Sequence, residues 1–254
     1  NTINEINTFT VPFALGEIEE NLTISIKTLS KYSKEELIKR AFYFHSQGKI
    51  SEATKYYQYF INQGFKDYRV FSNYGTILKD LEKFNEAEIL QRKAIELQPD
   101  YSKAYSNLGI ILKEIGNLEE AEISIRKAIE LKPDFAEAYS NLGIILTALG
   151  KLKEAEIYIR RAIELKPNFA DLYSNLGTIL YETHNLKEAE LLQREAIKIN
   201  PRFVNAYINL ATILKDLGKY KQAINCYKKA LKLNSSISSA KTGLLESKRD
   251  ICDW

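Results

Sequence analysis

Along the middle of the chain, apolar residues recur at helical spacing in pairs of stretches that return every 34 residues. In one copy the first stretch carries Tyr139, Leu142, Ile145, Leu146 and Leu149, and the second carries Leu152, Ala155, Ile159, Ala162, Ile163 and Leu165. Each set covers one face of a helix, so each copy predicts a helical hairpin. Pro99, Pro133, Pro167 and Pro201 close successive copies, because a proline cannot continue a helix. Gly48, Gly116, Gly150 and Gly218 fall between the two helices, where a left-handed residue commonly ends the first. Glu82 and His184 fill the same slot, which reads His184 as a strained turn residue rather than a ligand.

Small residues stand in register inside these helices: Gly75, Gly109, Gly143, Gly177 and Ala211 in the first, and Ala87, Ala121, Ala155, Ala189 and Ala223 in the second. Ala94, Ala128, Ala162, Ala196 and Ala230 form another such row. Glycine inside a helix costs about 1 kcal/mol relative to alanine, so its recurrence predicts helices packed too closely for larger side chains.

The period, the aromatic-x-x-Leu-Gly opening seen in Tyr105-Ser-Asn-Leu108-Gly109, the alanines and the closing proline together resemble the tetratricopeptide repeat (TPR) family. The resemblance covers Lys34 to about Ile237 as six copies: 34–67, 68–101, 102–135, 136–169, 170–203 and 204–237. It implies an all-α, right-handed superhelical solenoid of six TPR hairpins whose first helices line a concave groove. The first copy is degenerate, with Ala41, Phe60 and Phe65 at the usual glycine, alanine and proline positions. Its aromatic run from Phe42 to Phe60 reads as a cover for the end of the stack, with a partner site as the other reading.

Residues 238–254 begin like another first helix, with Ala240 and Leu244 in place, but Leu245 stands where a close-packed second helix needs a small residue. They are expected to form a capping helix and the start of a junction to a following domain. Lys248 to Trp254 resemble the junction after the repeats of O-linked N-acetylglucosamine transferases and similar bacterial repeat proteins. The chain lacks methionine, starts at Asn1 and stops on Trp254, which reads as a piece of a longer protein. Residues 1–33 obey no repeat rule, and the alternation of Leu22, Ile24 and Ile26 reads as an extended segment. That segment is expected to pack on the first repeat or to lie in a groove, its own or a neighbour's. Self-association through it, or through the repeat ends, is a further expectation.

Composition excludes several classes. Charged residues make up 27% and hydrophobic residues 45%, which is ordinary for a folded chain, and no apolar run approaches a membrane span. No membrane partner is expected. A net charge of +3 with Lys79 beside Asp80, Lys113 beside Glu114 and Lys215 beside Asp216 leaves no basic stripe for nucleic acid. Cys226 and Cys252 give neither a disulfide framework nor a metal pattern, which favours a reducing, cytoplasmic compartment.

Catalytic constellations are absent from the sequence. His45 and His184 stand four repeats apart, the glycines follow the repeat rather than a phosphate loop, and no metal or cofactor is expected. Glu88–Arg92, Glu122–Arg126, Glu156–Arg160 and Glu190–Arg194 read as i,i+4 pairs that support their own helices.

The remaining candidate is a surface. Asn73, Asn107, Asn141, Asn175 and Asn209 recur on the first helices, although asparagine is a mediocre helix former. Two readings stand together: each amide ties one hairpin to the next, or the row offers donors and acceptors to the backbone of an extended peptide. The resemblance adds weight to the second, since O-linked N-acetylglucosamine transferases bind extended polypeptides through such a row. One turn away lie Arg69, Lys103, Glu137, Asp171 and Asn205 on one side, and Thr76, Ile110, Ile144, Thr178 and Thr212 on the other. The charge changes sign along that row, which would orient a bound peptide. A chaperone-type carboxylate clamp is not expected, because Ser72, Ser106, Ser140 and Ser174 hold the places where it needs Lys or Arg. The chain therefore reads as a non-catalytic scaffold for a protein or extended peptide, with a transferase's substrate-recruiting arm and a self-assembling solenoid as alternatives.

Overall fold

Each repeat folds as two helices joined by a turn that glycine, or a residue forced to imitate it, makes possible. The computed structural model describes residues 32–251; the expectations for residues 1–31 and for the Cys252–Trp254 junction lie outside them. The helices are α1 (Lys34–Ser46), α2 (Ile50–Asn62), α3 (Tyr68–Asp80), α4 (Phe84–Leu97), α5 (Ser102–Ile115), α6 (Leu118–Leu131) and α7 (Ala136–Ala148). There follow α8 (Leu152–Leu165), α9 (Ala170–Glu182), α10 (Leu186–Ile199), α11 (Val204–Asp216), α12 (Tyr220–Leu233) and α13 (Ser238–Asp250). They pair as six hairpins, α1–α2 to α11–α12, followed by the single helix α13.

The caps follow the sequence. Ser33 starts α1 with a reciprocal capping box to Glu36, and Asp67 accepts the backbone N–H groups of Arg69 and Val70 at the start of α3. Between helices, Gly48, Gly116, Gly150 and Gly218 take φ from 69 to 92°. Glu82 and His184 take φ of 58 and 61°, as their slot demands.

The register of small residues is explained by what lies opposite. A Cβ added to Gly143 would stand 2.5 Å from Cδ1 and Cγ1 of Ile159, and one added to Gly109 would meet Ile125 at the same distance. Both isoleucines are fully buried, each contributing about 2–3 kcal/mol of apolar burial. Gln91 and Gln193 replace these isoleucines in the second and fifth hairpins, and are fully buried as well.

First helices of neighbouring hairpins touch one another, as α5 does α3 and α7, whereas second helices meet chiefly the following first helix. The stack therefore bends with its first helices on the inner face and its second helices on the outer. Arginines on the outer face link successive repeats. Arg92 holds Glu88 in its own helix and Glu120 in the next hairpin, and Arg160 holds Glu156 and Glu188 in the same way. Lys151 and Lys219 add links back to Glu122 and Glu190.

The first and last elements join the stack differently. Tyr57 and Phe60 of the first hairpin are buried, with Tyr57 stacked on Tyr74 of the second hairpin at 5.9 Å between ring centroids. At the other end Ala240 and Gly243 of α13 are buried against the sixth hairpin, where a Cβ on Gly243 would lie 2.4 Å from Cζ of Tyr227. Leu245 is left 68% exposed. One expected charge pairing is corrected here: Lys215 joins Glu246 of α13 at 2.9 Å, and Asp216 instead accepts the Tyr181 hydroxyl. Lys79 and Lys113 pair with Asp80 and Glu114 as the sequence predicts.

Candidate functional site

The inner face carries the asparagine row, one residue from each of α3, α5, α7, α9 and α11, and all five are half-buried. The structure gives them unequal surroundings. Asn107 Nδ2 donates to Thr76 Oγ1 at 3.1 Å and Ser72 Oγ at 3.3 Å, and Asn209 makes the same bonds to Thr178 and Ser174 at 3.4 Å. Asn141 reaches only Ser106 Oγ, at 3.5 Å, because Ile110 replaces the threonine. Asn73 lies beside the Tyr57 hydroxyl. Among the described residues, Asn175 makes no side-chain hydrogen bond, and Oδ1 of Asn107, Asn141 and Asn209 accepts none.

These contacts explain the serines and threonines. Ser72, Ser106 and Ser174 are buried beneath the asparagines. Thr76 and Thr178 donate to the carbonyls of Ser72 and Ser174 at 3.0 Å, and Thr212 donates to that of Ile208 at 3.1 Å. With their protons spent on their own helices, the oxygens of Thr76 and Thr178 are free to accept Asn107 and Asn209.

The charged neighbours are largely engaged. Arg69 is held by Asp67 through Nη2 at 2.7 Å and Nε at 3.1 Å, so it serves the cap of α3. Glu137 is bonded by Lys166 of the following linker; burial, the largest single influence, would raise its carboxyl, but that bond, a backbone N–H and the charges of Lys166 and Lys132 together hold the group below the usual range. Lys103, Asp171 and Asn205 are exposed and outside these pairs. The charge gradient expected along the groove therefore shrinks to Lys103 at one end and Asp171 towards the other.

A cavity of about 140 Å³ opens between α7 and α9, lined by Glu137, Ser140, Asn141, Lys166, Phe169 and Leu172. Phe169 is 50% exposed there. The corresponding place one repeat pair earlier is filled, since Tyr101 packs edge-on against Tyr68 at 4.8 Å; Ala136 is too small to fill it here. Ile144, also exposed, continues the apolar surface along α7. Sequence reasoning named Asn141, Asn175 and Ile144 but not Phe169. In sequence Phe169 looks like its counterpart Phe203, which also has an alanine, Ala170, 33 residues before it yet packs against that alanine, so no sequence signal singled out Phe169.

Elsewhere the structure offers little chemistry. His45 Nδ1 lies 3.1 Å from the Tyr57 hydroxyl, and burial lowers its pKa below the ordinary value. Among the described residues no group of three His, Cys, Asp or Glu side chains could hold a metal ion, and no helix is long and apolar enough to cross a membrane.

Paired helices in a single row, a bent stack and an inner face lined by one recurring amide define a helical-repeat protein. The chain belongs to the tetratricopeptide repeat family: models of that repeat match residues 68–101, 90–123, 136–169, 169–200 and 204–236, together more than half of the 254 residues. No curated protein matches the sequence. Among solved structures, YrrB, described as a TPR protein with an unusual peptide-binding site, is 22% identical with a TM-score of 0.56, over 72% of this chain and 92% of its own. PilF of Pseudomonas aeruginosa is 14% identical with a TM-score of 0.71, over 87% of this chain and 99% of its own. The Cut9–Hcn1 assembly gives a TM-score of 0.77 at 15% identity; the match takes in 90% of this chain but 46% of that one. At these identities the likeness is one of fold.

Proposed function

We propose that this chain is a non-catalytic scaffold that binds an extended peptide, or an extended segment of a partner protein, along its inner face. The observation that carries the reading is at α7 and α9: Asn175 has no side-chain hydrogen bond among the described residues, and Asn141 has a weak one and lines a cavity exposing Phe169. Amides left with spare donors and acceptors, one repeat apart, suit a peptide backbone, and the cavity suits one apolar side chain of that peptide. The peptide-binding site of YrrB, a protein of similar fold, supports the same use. Lys103 and Asp171 favour a peptide acidic towards the α5 end and basic towards the α9 end.

The half-buried free thiol of Cys226, raised by burial, suits a reducing, cytoplasmic setting. The asparagine row also fits a substrate-recruiting arm of a larger glycosyl- or sulfotransferase, which the mass of the native protein would reveal.

A peptide array probed with the parent and with Asn141→Ala/Asn175→Ala tests the reading. Peptides retained by the parent and lost from the equally folded variant support groove binding. Identical arrays, or none bound by either, overturn it.

A further inference from the structure

The outer face holds a place where the chain fills a space in one repeat and leaves it open in the one before. In the fourth hairpin Tyr158 stands between α6 and α8. Its hydroxyl accepts Nη1 of Arg126 at 2.6 Å, its ring lies 5.3 Å from the guanidinium carbon, and Tyr139 flanks it at 6.1 Å. The same guanidinium holds Glu122 through Nε and Glu154 through Nη2.

One repeat earlier the frame is the same. Arg92 holds Glu88 through Nε at 2.9 Å and Glu120 through Nη2 at 2.7 Å. Tyr105 corresponds to Tyr139, but the residue corresponding to Tyr158 is Ser124. In place of the ring there is a cavity of about 480 Å³, lined by Ile95, Tyr105, Leu108, Ile123 and Ser124 and by the charged Arg92, Glu96, Glu120 and Lys127. Nη1 of Arg92, the donor that Arg126 gives to the tyrosine, makes no hydrogen bond among the described residues.

We propose that this cavity between α4 and α6 is a docking socket for the tyrosine side chain of a partner protein. The fourth hairpin shows the shape and the polar contact the socket accepts: a flat ring beside Tyr105, with its hydroxyl on Arg92. Apolar walls favour the ring over water, and the unused guanidinium donor favours a phenol over a plain phenyl group. Ile123, 68% exposed, forms a shoulder on which a flanking apolar residue of the partner would lie. The socket is on the opposite face from the groove and does not depend on peptide binding there.

The test is an NMR titration of the chain with N-acetyl-tyrosinamide and N-acetyl-phenylalaninamide. The proposal expects saturable amide shifts centred on Tyr105, Leu108, Ile123 and Ser124, with the tyrosine amide binding about three- to tenfold tighter. In Ser124→Tyr the new ring should occupy the socket, abolishing those shifts and raising the thermal midpoint. Absence of saturable shifts, equal binding of the two amides, or unchanged shifts in a folded Ser124→Tyr variant would overturn it. If that variant fails to fold, the comparison of the two amides on the parent decides the question alone.

Discussion

Gln91 runs so close beneath Gly75 that a methyl group added to the glycine would stand 2.7 Å from its Nε2. The same Nε2 donates to the carbonyl of Ser72 at 2.9 Å, so the side chain is pinned and cannot swing away without losing that bond. Gly177 and Gln193 repeat the arrangement with the carbonyl of Ser174.

Gly143→Ala places its methyl against two atoms of the branched, fully buried Ile159, with the Ala155 carbonyl at 3.3 Å. Overpacking of this kind costs about 1–3 kcal/mol, against about 1 kcal/mol gained in helix propensity. Urea unfolding should show a net loss of about 1 kcal/mol, and at most about 2 kcal/mol. An unchanged midpoint would mean that the hairpin has more room than the structure shows.

Gln193→Ile with Thr178→Ile converts the fifth hairpin to the Ile144–Ile159 pattern of the fourth. Oε1 of Gln193 is buried without a partner, and removing it relieves a desolvation cost. The double variant should be as stable as the parent or up to about 1 kcal/mol more stable, even though Asn209 loses one acceptor. Gln193→Ala, which leaves a cavity, should lose about 1–2 kcal/mol in the same assay.

Acid should cost the outer ladder stability at Glu122. Its bond from Lys151 holds the carboxyl below the usual range, with Arg126 adding to the effect against the smaller penalty of burial. A carboxylate with a lowered folded pKa contributes stability above its unfolded value of about 4.3 and loses it as pH falls through the lower folded value. Thermal midpoints measured from pH 6 to pH 3 should therefore fall less steeply for Glu122→Gln than for the parent. Parallel curves would show that the carboxylate carries no such linkage.

Much of the fold was legible because it is written as a period. The turn role of His184, the close approach at Gly143 and the capping character of α13 all follow from comparing one position across copies. What the sequence hid depends on contacts between copies. Arg92 reads as a partner of Glu88 four residues away, yet it also grips Glu120, and only the pitch of the stack brings that pair together. Lys215 prefers Glu246 to its neighbour Asp216 because α13 lies across α11. The asparagines look equivalent in sequence, but a threonine 31 residues earlier decides which are tied and which are free.

That difference separates two roles within one row. Asn107→Ala removes bonds to Ser72 and Thr76 and should be about 0.5–1.5 kcal/mol less stable in urea unfolding than Asn175→Ala, which shares its gain in helix propensity but loses no bond. Equal losses at both positions would mean that Asn175 also ties its hairpin.

Whether the weakly held Asn141 and the untied Asn175 bind peptide is decided by calorimetric titration of the strongest array peptide. The parent, Asn141→Ala/Asn175→Ala and an outer-face control, Ile157→Ser, would be compared at matched stability. The asparagine variant should lose at least about tenfold in affinity, from two hydrogen bonds of about 1 kcal/mol each, and the control should be unchanged. Equal affinity in all three proteins would contradict peptide binding by these two amides.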